Sequence, residues 1–393
     1  MRLTPEVIRK LRAQVPALRN QVYVNWGGGG PSPAPVLRQV DRTLRREAAL
    51  GPFHPRVRAE GRALFAALRR ETAALMGAGE DEIAFMDNTT SGVNLAAAGL
   101  EWRPGDEALV SDLEHPGGYL PWLVWRSRRR VKVKLLPTGA DDKELLSNLD
   151  ALLTRRTRAV CVSHIAWLTG RRLPLEALAR RCRRAGALLV VDGAQSVGQI
   201  PVEARASGAD VYTLSGQKWL MGPQGTGAVF VRRGLNRELR EAAAGYRSAK
   251  EKALPTLAFV PHAAAARFEV ATVSPALFAG LRAAVTLCHR ADPKAIERRI
   301  ARLATRLLAI LRSEERVEVL SPPGPAQSGL VSFRLPALEA EVAVNRLLKR
   351  HRVVLRSVDA EPPALRASIH YLNTESEVER IGEAVLELAR GRR

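Results

Sequence analysis

Asp192 and Lys218 each follow an apolar, β-branched run, and together they set a carboxylate near an amine. Ala187-Leu188-Leu189-Val190-Val191 leads into Asp192-Gly193-Ala194-Gln195-Ser196, and Val211-Tyr212-Thr213-Leu214 leads into Ser215-Gly216-Gln217-Lys218. Both runs read as buried strands. Their carboxyl ends form the edge where ligands of open α/β sheets sit. Such a pair suits pyridoxal phosphate (PLP): the amine forms a Schiff base with the cofactor aldehyde, and the carboxylate keeps the pyridine nitrogen protonated so that the ring accepts electrons. On its own the pair would also describe a strand-end salt bridge, so the neighbouring stretches decide.

The elements that must hold these groups read in order along the chain. Val22 to Trp26 runs into Gly27-Gly28-Gly29-Gly30-Pro31, a glycine loop that either turns flexibly or lets backbone approach a ligand. Gly51 to Pro55 is a second kinked loop before a helix striped by Val57, Leu64, Leu68 and Leu75. Glu82 to Met86 reads as a strand, followed by Asn88-Thr89-Thr90-Ser91-Gly92 and a helix from about Val93. Hydroxyls and free N–H groups there make a phosphate cradle or an ordinary cap. Further strands span Glu107–Ser111, Val131–Leu136, Ala159–Ser163 and Gly227–Val231, with helices over Asp141–Leu153 and from Pro174 to near Gly186. The alternation predicts a mostly parallel, helix-covered sheet. Beyond about residue 235 the pattern becomes α+β. A helix is striped by Ile296, Ile300, Leu303, Leu307 and Ile310, strands are expected at Gly329–Leu335 and Ala367–Tyr371, and a Thr374–Glu377 capping box opens the last helix.

With 393 residues the chain exceeds the roughly 250–300 at which single cores stop growing. We expect a large domain over residues 21–260 and a small one from residues 1–20 and 261–393. No apolar run approaches the roughly 20 residues of a membrane span. Met1–Asn20 reads as an opening helix rather than a transit peptide, since it lacks Ser and carries Glu6. The net charge of +21 spreads over nearly every helix without interleaved aromatics, which favours a solvated arginine surface over a nucleic-acid site. Cys161, Cys182 and Cys288 are scattered without metal-ligand spacing; this fits a reducing, cytoplasmic setting and predicts neither a disulfide scaffold nor a metal site. Cys161 lies in a strand pattern and reads as core.

Taken together, the stretches resemble the class V aminotransferase superfamily over about Val22 to Leu388. Within it they look most like the cyst(e)ine C–S lyases, relatives of cysteine desulfurases. The likeness lies in Glu114-His115-Pro116-Gly117, Ser163-His164 through Trp167 to Gly170, Val191 to Ser196, Gly245-Tyr246-Arg247-Ser248, Arg267 to Thr272 and Leu365-Arg366-Ala367. It implies an α/β architecture of PLP fold type I, aspartate aminotransferase-like, with a seven-stranded-type sheet and a smaller α+β domain. It also implies that Lys218 bonds the cofactor, Asp192 partners the ring nitrogen, His115 stacks on the ring and Gln195 bonds the ring oxygen. By the same carry-over, Thr90, Ser91, Ser215 and Gln217 belong to the cofactor's surroundings, with Thr272 joining from the neighbouring subunit of a homodimer. Arg366 would grip the substrate α-carboxylate, Arg356 in the same loop region a second one, and Trp167 would border the substrate.

Two departures bear on chemistry. Many relatives have histidine where this chain has Gln217, which donates a hydrogen bond but carries no charge. Desulfurases need a nucleophilic cysteine in the small domain, and Ser357 to Leu365 contains none. The resemblance then points to β-elimination on L-cystine or L-cysteine, giving pyruvate, ammonia and a persulfide or sulfide that a sulfur acceptor would take. The alternatives are an aminotransferase or isopenicillin N epimerase-like enzyme, a desulfurase, and a non-catalytic basic scaffold.

Overall fold

The computed structural model describes residues 3–235 and 238–391, so Met1–Arg2 and Arg392–Arg393 of the expected terminal ranges lie outside the described residues. Helix α1 (Pro5–Ala13) and the short strand β1 (Val22–Tyr23) precede α2 (Ala34–Leu50) and α3 (Pro55–Leu75). Then come β2 (Ile83–Met86), α4 (Thr89–Gly99), β3 (Glu107–Ser111), α5 (Pro116–Arg129), β4 (Lys132–Leu136) and α6 (Asp142–Leu152). The series closes with β5 (Thr157–Ser163), α7 (Leu175–Ala185), β6 (Leu188–Asp192), β7 (Val211–Ser215) and β8 (Gly227–Val231). These strands form a seven-stranded sheet ordered β2-β8-β7-β6-β5-β3-β4. Only β8 runs antiparallel to its neighbours. The mostly parallel, helix-covered sheet is as expected.

The sheet is apolar on both faces because helices cover both. Alternate residues of one strand enter opposite cores: Leu188 and Val190 pack on one side, Leu189 and Val191 on the other. Cys161 is buried in one of these cores, as read from its strand pattern. Each fully buried Val or Leu contributes about 1.5–3 kcal/mol relative to exposure.

The remainder begins with a hairpin, β9 (Ala249–Ala253) and β10 (Ala258–Pro261), then α8 (Pro275–Ala291) and α9 (Pro293–Arg312). It continues through β11 (Glu318–Val319), β12 (Leu330–Arg334), α10 (Ala340–His351), β13 (Val353–Val354), β14 (Arg356–Val358), β15 (Ala364–Ser368) and α11 (Glu375–Ala389). A four-stranded antiparallel sheet is ordered β11-β12-β15-β14, while β1 pairs with β13. The Thr374 capping box forms as read: Thr374 Oγ1 accepts from Glu377 N, and Glu377 Oε2 accepts from Thr374 N.

Two expectations are corrected. The strand expected at Ala367–Tyr371 lies at Ala364–Ser368, because Ser368 N donates to Val24 O and the chain then turns at His370–Asn373. Arg356 and Arg366 do not share a loop. They are cross-strand partners on β14 and β15. The arginine runs find a plain explanation: Arg126, Arg128 and Arg129 end α5, and Arg183 and Arg184 end α7, where cations complement the helix dipole.

Candidate functional site

The carboxyl ends of β5, β6 and β7 open onto a cavity of about 230 Å³, and Asp192, Gln195, Ser215, Gln217 and Lys218 line it. Strand register builds this edge, since Ser163 ends β5 directly beside Asp192. The turn after β6 is tight: a Cβ on Gly193 would run into Thr213 O. Asp192 Oδ1 accepts from Ala194 N at 2.8 Å, which fixes the carboxylate at the cavity wall. The glycine loop approaches the lysine segment closely. Gly30 N donates to Gln217 O at 2.7 Å, and a Cβ on Gly30 would collide with Lys218 O.

Helix α4 starts at Thr89, four residues before the expected Val93, because Asn88 caps it by accepting from Ser91 N at 3.0 Å. Thr90 and the helix N-terminus therefore face the cavity opposite Ser215, whose Oγ accepts from Thr89 N at 3.3 Å. Ser91 is not brought there. With Thr272 it lines a separate cavity of about 410 Å³ beside α4, where Thr272 Oγ1 meets Tyr246 Oη at 2.7 Å.

His115 caps α5, its Nδ1 accepting from Gly117 N at 3.1 Å. Its ring meets Trp167 edge-on, with centroids 5.4 Å apart. Burial and the Lys218 charge hold its pKa below the usual range, so the ring is neutral at pH 7. Trp167 in turn lies against Arg366: the guanidinium sits 5.8 Å from the ring centroid and donates to Trp167 O at 2.7 Å. Arg356 lines the same cavity.

Electrostatics favour a reactive amine. Burial pushes the Lys218 ammonium down to about 8; Asp192 opposes the shift, and Arg366 and Arg356 reinforce it. Burial, with the Arg356 charge beside it, pushes Arg366 down to about 9, which still leaves it cationic at neutral pH. A cationic pair with so little compensation calls for anions.

Glu114 is buried beneath the site and accepts from Ser111 Oγ and Ser163 N and Oγ. Burial and then the Asp192 charge push it up to about 8. Its folded-state pKa exceeds the unfolded value of about 4.5. Its stabilising contribution is therefore complete below about 4.5 and lost as pH rises to about 8. Glu114→Gln is expected to flatten urea-unfolding free energy between pH 5 and 9 by on the order of a few kcal/mol relative to the parent. Parallel curves for variant and parent would contradict this.

The groups fit PLP on grounds internal to the site. Gln217 Oε1 and Arg366 Nε are buried without a protein partner, a costly state that a polar ligand relieves. An acid, an amine, a stackable ring and a hydroxyl-rich helix start surround one cavity.

The aminotransferase class-V family model matches residues 22–381. The chain belongs to this family. Its cofactor is PLP, and the fold is PLP fold type I with a seven-stranded mixed sheet and a small antiparallel unit. Two solved structures of a cystine C–S lyase are 30% identical with TM-scores of 0.89. One, with glycine covalently linked to PLP, covers 96% of this chain and 99% of its own. The other, a complex with the reaction product cysteine persulfide, covers 95% and 99%. The isopenicillin N epimerase of Amycolatopsis lactamdurans is 32% identical over 95% of this chain and 96% of its own. A probable cysteine desulfurase of Methanothermobacter thermautotrophicus is 28% identical, covering 96% and 97%. Among the described residues of this class V chain, no helix is long and apolar enough to cross a membrane.

Sequence reading missed Ser163 as a cavity residue, which follows from strand register; Asn88 and Thr89, read as part of a phosphate cradle or a cap, line the cavity and start the helix there. The glycine loop, left open between a turn and a ligand approach, lines the cavity through Gly27 and Gly28.

Proposed function

We propose that the chain is a PLP-dependent C–S β-lyase that converts L-cystine and water to pyruvate, ammonia and cysteine persulfide, L-cysteine being the poorer substrate. One observation carries the choice of elimination over desulfuration. The segment from β14 to β15 has no cysteine, and Cys161, Cys182 and Cys288 are all buried. Burial raises all three thiols above their usual range, which suppresses the nucleophilic thiolate.

Bound PLP supplies the electron sink for the pair released from the substrate Cα–H bond. Lys218, whose depressed pKa raises its free-amine fraction at neutral pH above that of an ordinary lysine, takes the Cα proton. Asp192 would hold a proton on the ring nitrogen. Neutral His115 would cover the ring without adding charge. Arg366 holds the α-carboxylate by a bidentate fork, and Arg356 takes the distal carboxylate of a cystine-sized substrate. The Cβ–S bond breaks with its electron pair leaving on sulfur, and water completes pyruvate and ammonia. A persulfide leaves more readily than a thiolate, which favours cystine. Thr90 and Ser215 hold the phosphate, and Thr272 serves the partner subunit of a homodimer.

Mass spectrometry of the protein during turnover on L-cystine and, separately, on L-cysteine tests the elimination reading. It predicts persulfide on the small-molecule product and no sulfur adduct on any of the three cysteines. A protein-bound persulfide formed at a rate matching turnover would overturn it.

Gln217 offers a second check. Gln217→His is expected to tighten PLP binding about tenfold at pH 6, where the imidazole is charged, and less at pH 8. Equal affinity at both pH values would remove Gln217 from the phosphate's surroundings.

A further inference from the structure

We propose that Trp219 is a positioning residue that locks the Gln195 side-chain amide in one orientation, so that it can only donate a hydrogen bond into the cofactor cavity. The inference rests on PLP occupying that cavity and not on the lyase reading.

The indole N–H is a donor and never an acceptor, while a backbone carbonyl is an acceptor and never a donor. Trp219 Nε1 donates to Gln195 Oε1 at 2.9 Å, and Gln195 Nε2 donates to Gly27 O at 2.9 Å. Turning the amide over would set donor against donor and acceptor against acceptor between buried groups. Both lost bonds would then be buried and uncompensated. One orientation survives, and it leaves one Gln195 N–H unspent. Gln195 lines the cavity and is buried, so that N–H has nowhere to go but the ligand.

Trp219 is itself held. Its ring is fully buried and stacks at 30° on His370, which stacks on Trp26 with centroids 4.1 Å apart. His370 Nδ1 accepts from Leu372 N, so its Nε2 carries the proton donated to Trp219 O at 3.2 Å. Gln199 fixes the other end by donating to Gln195 O. The ligand atom opposite Gln195 must therefore be an acceptor, such as the ionised ring oxygen of the cofactor. Donation there withdraws charge from that oxygen and lowers the pH at which the cofactor's visible absorbance titrates.

The test is the pH midpoint of visible absorbance in PLP-loaded Trp219→Phe, Gln195→Leu and the double variant. Trp219→Phe should raise the midpoint by about one pH unit, the scale of one hydrogen bond to a charged group. Gln195→Leu should raise it at least as far, and the double variant should match Gln195→Leu alone. An unmoved midpoint in Trp219→Phe, or shifts that add in the double variant, would overturn the proposal. Gln195→Glu keeps size and the bond from Trp219 but opposes Gly27 O and the ring oxygen with an acceptor. It should weaken PLP affinity at least tenfold, and unchanged affinity would equally overturn the lock. A protein without any visible band would refute the cofactor's placement itself, a separate failure.

Discussion

Replacing Lys218 by alanine is expected to lower pyruvate formation from L-cystine by at least about 10³-fold, because one group supplies both covalent attachment and the Cα base. The variant should still take up PLP, since Thr90, Ser215, Asp192 and Gln195 are untouched. Its visible spectrum should be that of the unattached cofactor. The depressed pKa adds a second signature in the parent: capture of PLP by the apoprotein should accelerate with pH to a midpoint near 8, not near the ordinary 10.5. Turnover of Lys218→Ala within tenfold of the parent would remove the lysine from its assigned role.

Arg366→Ala is expected to have the next largest effect. Arg366 is almost wholly buried, and its Nε has no protein partner, so a substrate carboxylate would meet a pre-oriented fork. Losing two charge-assisted bonds should cost on the order of 10²–10³ in kcat/KM for L-cystine. Arg366→Lys should restore only part, because a point charge cannot reproduce the fork. The alanine substitution should also raise the Lys218 pKa, since the Arg366 charge is one of its depressing causes. The midpoint of PLP capture would then move upward with it. A kcat/KM for Arg366→Ala within threefold of the parent would show that the carboxylate binds elsewhere.

The parts legible in sequence were those that local pattern dictates. β6 and β7 are β-branched runs buried on both faces, so their ends, and with them Asp192 and Lys218, were placed to within a residue. The Thr374 capping box was legible because its two bonds are made within four residues. What escaped depends on distant partners. The pairing of Arg356 with Arg366 needs β14 and β15 to meet, and the turn signal at Pro362-Pro363 does not say which residues pair across it. Helix α8 escaped because its buried residues extend almost around its circumference and blur the stripe. The Trp219–Gln195 bond joins residues 24 positions apart, beyond any helical or strand spacing. Ser91 illustrates the opposite case. It belongs to a hydroxyl-rich run beside the cavity, but the cap on Asn88 starts the helix early and turns Ser91 toward the neighbouring cavity.

The most direct measurement of elimination is product analysis after the PLP-loaded protein meets L-cystine. β-Elimination predicts pyruvate and ammonia in equal amounts, together with cysteine persulfide. Alanine from a separate L-cysteine incubation would instead mean desulfuration, and a racemised or transaminated amino acid with its C–S bond intact would place the chain with the epimerases or aminotransferases of its family.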